Sequence, residues 1–215
     1  MARDITTDHL ILWLEGFARR IAAGRHRLNE LDAATGDADH GTNLDRGAQA
    51  VGQMIGQTAD HGTPGAFLKA VGLAVVGSVG GSSGALYGTI FLRMAATVGP
   101  QVATIDGATM ARALHAAVQG IVDRGRARAG DKTMFDALEP AARAFDSAIA
   151  AGQGSNAAWQ AASIAAEAGA AATAAMRARR GKSSYVGDRS IGSVDPGAAS
   201  LALLIAAGAE AMAHI

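Results

Sequence analysis

An all-α fold is predicted from three observations. Hydrophobic residues make up 49% of the 215-residue chain while aromatics are only 4%, so alanine, the best helix former and a residue that lets helices approach closely, carries much of the apolar content. Apolar residues recur at the spacing of a helical face along nearly the whole chain. No stretch alternates over a useful length, and the best strand candidate, 71–79, is interrupted by Gly72 and Gly77.

The first helix is predicted over 7–30, where Leu10, Ile11, Leu14, Phe17, Ala18 and Ile21 share one face and Glu15, Arg19 and Arg20 lie opposite. The same periodicity predicts helices near 42–57, 64–77, 82–97, 106–126, 132–150, 155–178 and 196–213. Pro64, Pro140 and Pro196 suit first turns, where a missing N–H costs little, and Pro140 alternatively bends a helix. Asp106, Asp131 and Ser155 have the side chains expected of N-caps. Eight helices with short connections predict antiparallel neighbours in a bundle or closed barrel. With no linker or compositional break, residues 1–215 are expected to be one domain.

Composition excludes several classes of function. The chain has no cysteine, which removes disulfides, thiolate metal sites and thiol nucleophiles. Nineteen basic residues balance 19 acidic ones, so net charge gives no reason to expect nucleic acid or an anionic membrane as partner. No run approaches the roughly 20 apolar residues of a membrane span; the stretch 201–213 is short and contains Glu210. Met1-Ala2-Arg3-Asp4 lacks the form of a secretory signal, and the expected location is the cytoplasm.

Three connections depart from plain turns. Between Gly36 and Asn43 the chain reads Gly-Asp-Ala-Asp-His-Gly-Thr-Asn, with Asp32 a few residues before. On a continuous helix Asp37 would point about 140° away from Asp32, but Gly36 and Gly41 break the helix and a turn there can gather Asp32, Asp37 and Asp39. Three clustered carboxylates repel unless cations neutralise them, and oxygen ligands without sulfur suit Mg²⁺. The same spacing also suits ordinary turn and capping aspartates. His40 beside them is a ligand, a phosphate contact or a satisfied structural histidine.

The second connection, Val79-Gly80-Gly81-Ser82-Ser83-Gly84, runs into a helix. Small residues and free N–H groups at a helix start can receive an anion, although a flexible loop with a serine cap has the same composition. The third, 178–196, contains Gly181-Lys182-Ser183, but a P-loop is excluded because the glycine required five positions earlier is Met176 and no strand leads into it. What remains is a basic, glycine-rich segment able to close over phosphates as a lid. The competing expectation is a docked surface loop anchored by Tyr185, Val186 and Ile191.

Taken together the motifs resemble a known family. Gly36 to Asn43, Gly81-Ser82-Ser83-Gly84 with Tyr87-Gly88, Gly130-Asp131-Lys132-Thr133-Met134-Phe135-Asp136 with Pro140, and Ser184-Tyr185 through Asp195-Pro196-Gly197-Ala198 are similar, in order, to the motifs of the nucleotide-binding L subunit of dihydroxyacetone kinases. The resemblance implies an eight-helix antiparallel barrel with the nucleotide at one end. It implies that Asp32, Asp37 and Asp39 hold Mg²⁺, two ions in the family, which bridge to the phosphates. His40, Gly41, Thr42, Asn43, Ser82 and Ser83 would contact the phosphate end, and Gly125, Thr133, Met134, Asp195, Pro196 and Gly197 would shape the nucleoside pocket. Lys182 stands where the family has arginine and would act on the transferring phosphate, keeping the charge and losing the bidentate fork. Ala38 replaces a glycine, which requires a negative φ there, and Ser193 replaces a common histidine and is given no role.

The activity so implied is phosphoryl transfer from Mg²⁺-bound ATP, or from a retained ADP recharged by a phosphotransferase-system protein. The acceptor would be dihydroxyacetone or a related ketose, held covalently by a histidine of a separate K subunit. A nucleotide-loaded module that signals to a transcription regulator would use the same site. A helical scaffold with fortuitous aspartates would bind no nucleotide at all.

Overall fold

The computed structural model describes residues 4–34 and 36–213. They form α1 (Thr7–Ala33), α2 (His40–Gly56), α3 (Pro64–Ser78), α4 (Gly81–Val98), α5 (Gly107–Gly125), α6 (Phe135–Ala150), α7 (Ser155–Ala172) and α8 (Pro196–Ala211), with two 3-10 segments, Thr173–Ala175 and Lys182–Ser190, between α7 and α8. Each helix packs on the next in sequence and α8 returns against α1, so the eight close into an up-and-down ring. The strand candidate 71–79 is the C-terminal half of α3 and its cap. Among the described residues, extended pairing is confined to one antiparallel bridge between Ile5 and Ile105, with N–H···O distances of 2.9 and 2.8 Å.

Helix starts follow side-chain chemistry. Thr63 accepts the Ala66 N–H at 3.3 Å, Asp106 that of Thr109 at 2.7 Å and Asp195 that of Ala198 at 2.7 Å, with proline at the first helical position of α3 and α8. The other two expected caps are corrected. Asp131 lies before α6 and instead accepts the Arg128 N–H at 3.0 Å, closing a turn, so α6 starts at Phe135. Ser155 is itself the first residue of α7, after Gly154. The helix α7 stops at Ala172 instead of running to 178, because Thr173 donates its hydroxyl to the Ala170 carbonyl at 2.6 Å and turns the chain.

Pro140 lies inside α6, not in its first turn. The N–H it lacks would have reached the carbonyl of Asp136. That oxygen faces α7, where a Cβ at Gly169 would sit 2.1 Å from it, so the two helices touch backbone to side-chain-free backbone.

The core is small residues around one aromatic cluster. The Trp13 and Trp159 rings meet edge-on at 5.2 Å, Phe145 meets Trp159 at 5.4 Å, and Phe91 lies 6.1 Å from Trp13. The Trp13 indole N–H donates to the Leu204 carbonyl at 2.8 Å, tying α1 to α8. At Gly208 a Cβ would strike the Trp159 ring at 2.5 Å, so glycine is what admits that indole.

The segment 178–196 is docked by polar groups. The Ala178 N–H donates to the buried Ser190 hydroxyl at 2.9 Å, the Arg179 N–H to the Asp131 carbonyl at 3.0 Å, and the Gly192 N–H to the Ala174 carbonyl at 2.8 Å. The expected apolar anchors do not hold it: Tyr185 is 89% exposed and Ile191 49%.

Candidate functional site

In an up-and-down ring, alternate helices begin at the same end. Here α2, α4, α6 and α8 begin where α1, α5 and α7 finish, and they surround a cavity of about 400 Å³. Four helix N-termini therefore converge on one space, each with N–H groups lacking intrahelical partners and a partial positive charge. Such an end is built to receive an anion.

At the start of α2 sits the carboxylate cluster. Asp32 is in the last turn of α1, and Asp37 and Asp39 are in the connection to α2; one carboxylate oxygen from each lies within 4.8 Å of the others. Asp32 is held in place by backbone: its Oδ2 accepts the N–H of Asp39 at 3.0 Å and of His40 at 3.3 Å, so the end of α1 caps the start of α2. The helices approach closely here because Gly41 lacks a side chain, and a Cβ on it would lie 2.2 Å from the Arg25 carbonyl oxygen. To present Asp37 and Asp39 to the same point, the chain reverses at Ala38, whose φ is +61°. The expected negative φ is thus corrected, and the alanine adopts the left-handed backbone for which glycine is suited.

Lys182 reaches the cluster from the 3-10 segment and its Nζ pairs with Asp37 Oδ2. That hydrogen bond holds the Asp37 carboxyl below the usual carboxylate range and raises the Lys182 ammonium.

His40 is buried behind the aspartates. Its Nε2 lies 2.8 Å from Ser200 Oγ and its Nδ1 lies 3.3 Å from Ser83 Oγ. The Tyr87 hydroxyl is 2.7 Å from the same Ser200 oxygen, and Ser200 donates to the Gly197 carbonyl at 3.1 Å. One arrangement satisfies all four groups: Tyr87 and His40 Nε2–H donate to Ser200, Ser200 donates to Gly197, and His40 Nδ1 accepts from Ser83. Burial, which favours the neutral ring, lowers the His40 pKa, partly offset by the charges of Asp32 and Asp39 and by the Pro196 backbone.

Of the residues singled out from the sequence, Asp32, Asp37, Asp39, His40, Asn43, Ser82, Ser83, Gly125, Thr133, Met134, Lys182, Asp195, Pro196 and Gly197 all border the cavity. Gly41 and Thr42 do not. Gly41 faces α1, and Thr42 exchanges hydrogen bonds with Asn29 at 2.9 and 3.1 Å. Sequence reasoning missed the apolar wall of Leu86, Ile121 and Ala127 and the cations Arg124 and Lys132, whereas Arg180 borders the cavity as one of the cations of the basic segment. The signal for Lys132 was present in its motif; the wall carries none, because its residues look like any helix core.

Comparison with known proteins gives a consistent result. The profile of the DAK2 domain family matches residues 34–210. The chain is 36% identical over 197 residues to the "PEP-dependent dihydroxyacetone kinase 1, ADP-binding subunit DhaL" of Listeria innocua, covering 92% of each. It is 36% identical over 203 residues to the "PEP-dependent dihydroxyacetone kinase, ADP-binding subunit DhaL" of Escherichia coli, covering 94% of this chain and 95% of that one. Among solved structures, the dihydroxyacetone kinase from C. freundii in complex with AMP-PNP and Mg²⁺ matches with a TM-score of 0.74 at 25% identity, covering 98% of this chain. This chain spans 35% of that larger protein's length.

Proposed function

Because the chain belongs to the DAK2 domain family, we propose that it is the nucleotide-binding subunit of a dihydroxyacetone-type kinase, working with a separate K subunit that carries the ketose. The observation that carries this reading is the pairing of three convergent carboxylates with four helix N-termini around one cavity. Carboxylates alone would repel a phosphate tail and N-termini alone would need no metal; a metal-bound nucleotide satisfies both.

The residues fit Mg²⁺. All three donors are carboxylate oxygens, and Asp32 is fixed by two backbone N–H groups, the hard, preorganised set this ion takes while leaving positions for phosphate oxygens. Asp32, Asp37 and Asp39 would hold the ions, two of them by family resemblance. When bound, Mg²⁺ links the carboxylates to phosphate oxygens and neutralises charge on the transferring group.

The chain's own groups then divide the remaining work. Ser82, Ser83 and the N–H groups that begin α4 receive phosphate oxygens, and Gly81 at φ +68° turns the chain to expose them. His40, with its Nε2 engaged by Ser200, directs the Ser83 hydroxyl. Thr133, Met134, Gly125 and the Asp195-Pro196-Gly197 turn, with Leu86 and Ile121, wall the nucleoside. Lys182 supplies a positive charge where phosphoryl charge develops.

The relatives matched over nearly their whole length are named as ADP-binding subunits of PEP- or PTS-dependent kinases, which supports a retained ADP recharged by a phosphotransferase-system protein over exchangeable ATP. A "D-erythrulose kinase" of Mycolicibacterium smegmatis, 32% identical and covered over 33% of its length, keeps a tetrulose acceptor in view. Purified native protein should release ADP on denaturation, seen by mass spectrometry. It should support dihydroxyacetone phosphorylation only with a K subunit present. Turnover by this chain alone would contradict the reading.

A further inference from the structure

We propose that Lys132 is a positioning residue that holds the nucleoside wall in its binding shape; the inference rests on the nucleotide reading above. Lys132 is 1% exposed and lies in the turn between α5 and α6. Its backbone is left-handed, with φ +61°, shortly after Gly130 at +82°. Lysine gains nothing locally from that conformation, so something else selects it. The turn is locked by carboxylates: Asp136 accepts the N–H of Gly130 at 2.6 Å and of Thr133 at 2.9 Å, and Asp131 accepts that of Arg128 at 3.0 Å.

So held, the turn sends the lysine inward, where Nζ donates to two backbone carbonyls, Thr173 at 2.5 Å and Ser193. These carbonyls flank the whole connection from α7 to α8. Thr173 in turn accepts the Asp195 N–H on its hydroxyl at 2.9 Å, and Asp195 caps α8 through Ala198. One ammonium therefore ties the Thr133-Met134 wall to the Asp195-Pro196-Gly197 wall, across the pocket assigned to the nucleoside. The two walls touch: a Cβ at Gly197 would lie 3.6 Å from Met134 Cβ and 3.7 Å from its backbone nitrogen.

A buried ammonium is unfavourable unless its hydrogens are matched, and an unbranched apolar side chain would fill the same space without that penalty. Burial accordingly lowers the Lys132 pKa, against the pull of Asp195. Retaining the charge makes sense where the carbonyls at the two ends of this connection must be fixed relative to the turn that carries Lys132. The phosphate end of the site meets this wall through Ser200, which bonds His40 and donates to the Gly197 carbonyl, whereas the Lys132 ammonium bonds the Thr173 and Ser193 carbonyls.

The test compares ADP with inorganic pyrophosphate, both with Mg²⁺, by calorimetry on wild type, Lys132→Met and Thr173→Val. Lys132→Met keeps the length and removes both hydrogen bonds; Thr173→Val removes the hydroxyl's bonds to the Asp195 N–H and the Ala170 carbonyl while leaving the Thr173 carbonyl to Lys132. Lys132→Met should weaken ADP by about tenfold or more, the loss expected for charge-assisted hydrogen bonds, while pyrophosphate affinity stays within about twofold of wild type. Thr173→Val should show the same selective loss, smaller in size. Unchanged ADP binding in both variants, or equal loss of both ligands, overturns the proposal. If Lys132→Met does not fold, Thr173→Val decides by the same comparison. A wild-type protein that binds no ADP overturns the functional reading itself, which is a different outcome.

Discussion

Lys182 and Asp37 form an ion pair that links the 3-10 segment before α8 to the carboxylate cluster, across 145 positions of sequence. Both side chains are more than half exposed, at 58% and 51%, so the pair adds little to stability. Its interest is positional, since it places the loop's cation at the point where phosphate and metal are expected to meet.

Replacing Lys182 with alanine should therefore act on catalysis more than on binding. A charge used mainly as the transition state forms changes the rate of transfer and leaves ground-state affinity nearly intact. Single-turnover transfer to K-bound substrate should fall by roughly 100-fold, with ADP affinity reduced only a few-fold. Unaltered transfer would remove Lys182 from the site's chemistry. The lid expectation for 178–196 adds slower amide exchange there when nucleotide is bound.

Ala38 offers a gain instead of a loss. With φ at +61° it adopts a backbone that costs an L-residue about 1 kcal/mol relative to glycine. Ala38→Gly should raise the free energy of unfolding by roughly that amount, less the extra entropy glycine has when unfolded, and leave ADP affinity unchanged or improved. A clear loss of stability would show that the turn is not strained.

Gly41 and Gly52 lie on the same helix and should respond oppositely to alanine. At Gly41 the new Cβ would be 2.2 Å from the Arg25 carbonyl, whereas at Gly52 no atom lies within 4 Å. Gly41→Ala should cost about 1–3 kcal/mol and displace the His40 turn. Gly52→Ala should be neutral or stabilise by up to about 1 kcal/mol. Chemical denaturation of the two variants side by side separates close helix approach from general helix propensity.

The account also predicts a pH dependence centred on Asp195. Burial raises its pKa from 3.8 to about 7, against the opposing effects of the Ala198 N–H and Lys132. The folded state thus binds this proton more tightly than the unfolded state. Its contribution to stability is complete below about pH 4 and is lost as pH rises through about 7. Between pH 5 and pH 8 wild type should lose about 2 kcal/mol more than Asp195→Asn, in which the group cannot ionise. Parallel profiles for the two proteins would mean that Asp195 ionises normally.

Periodicity made the eight helices legible because buried faces recur at 3.6 residues whatever the neighbours. Where helix ends were misplaced, at Asp131 and Thr173, a side chain binds local backbone in competition with the helix, and composition does not say which interaction wins. The aspartate cluster could be inferred because glycines flank it. The positive φ of Ala38 could not be, since it follows from the need to aim two neighbouring carboxylates at Asp32. Lys132 was quoted within a motif, yet its role depends on carbonyls 41 and 61 positions away.

The most direct test of the central claim is titration of ADP into nucleotide-stripped protein by calorimetry, with Mg²⁺ and with EDTA, for wild type and Asp37→Asn. Without the ion, carboxylates face phosphates at close range, a repulsion of several kcal/mol in a partly dry site. Wild type should bind ADP at least about 100-fold more tightly with Mg²⁺ than with EDTA, and Asp37→Asn should lose most of that difference. Equal ADP affinity in Mg²⁺ and in EDTA would contradict a metal-bridged nucleotide at Asp32, Asp37 and Asp39.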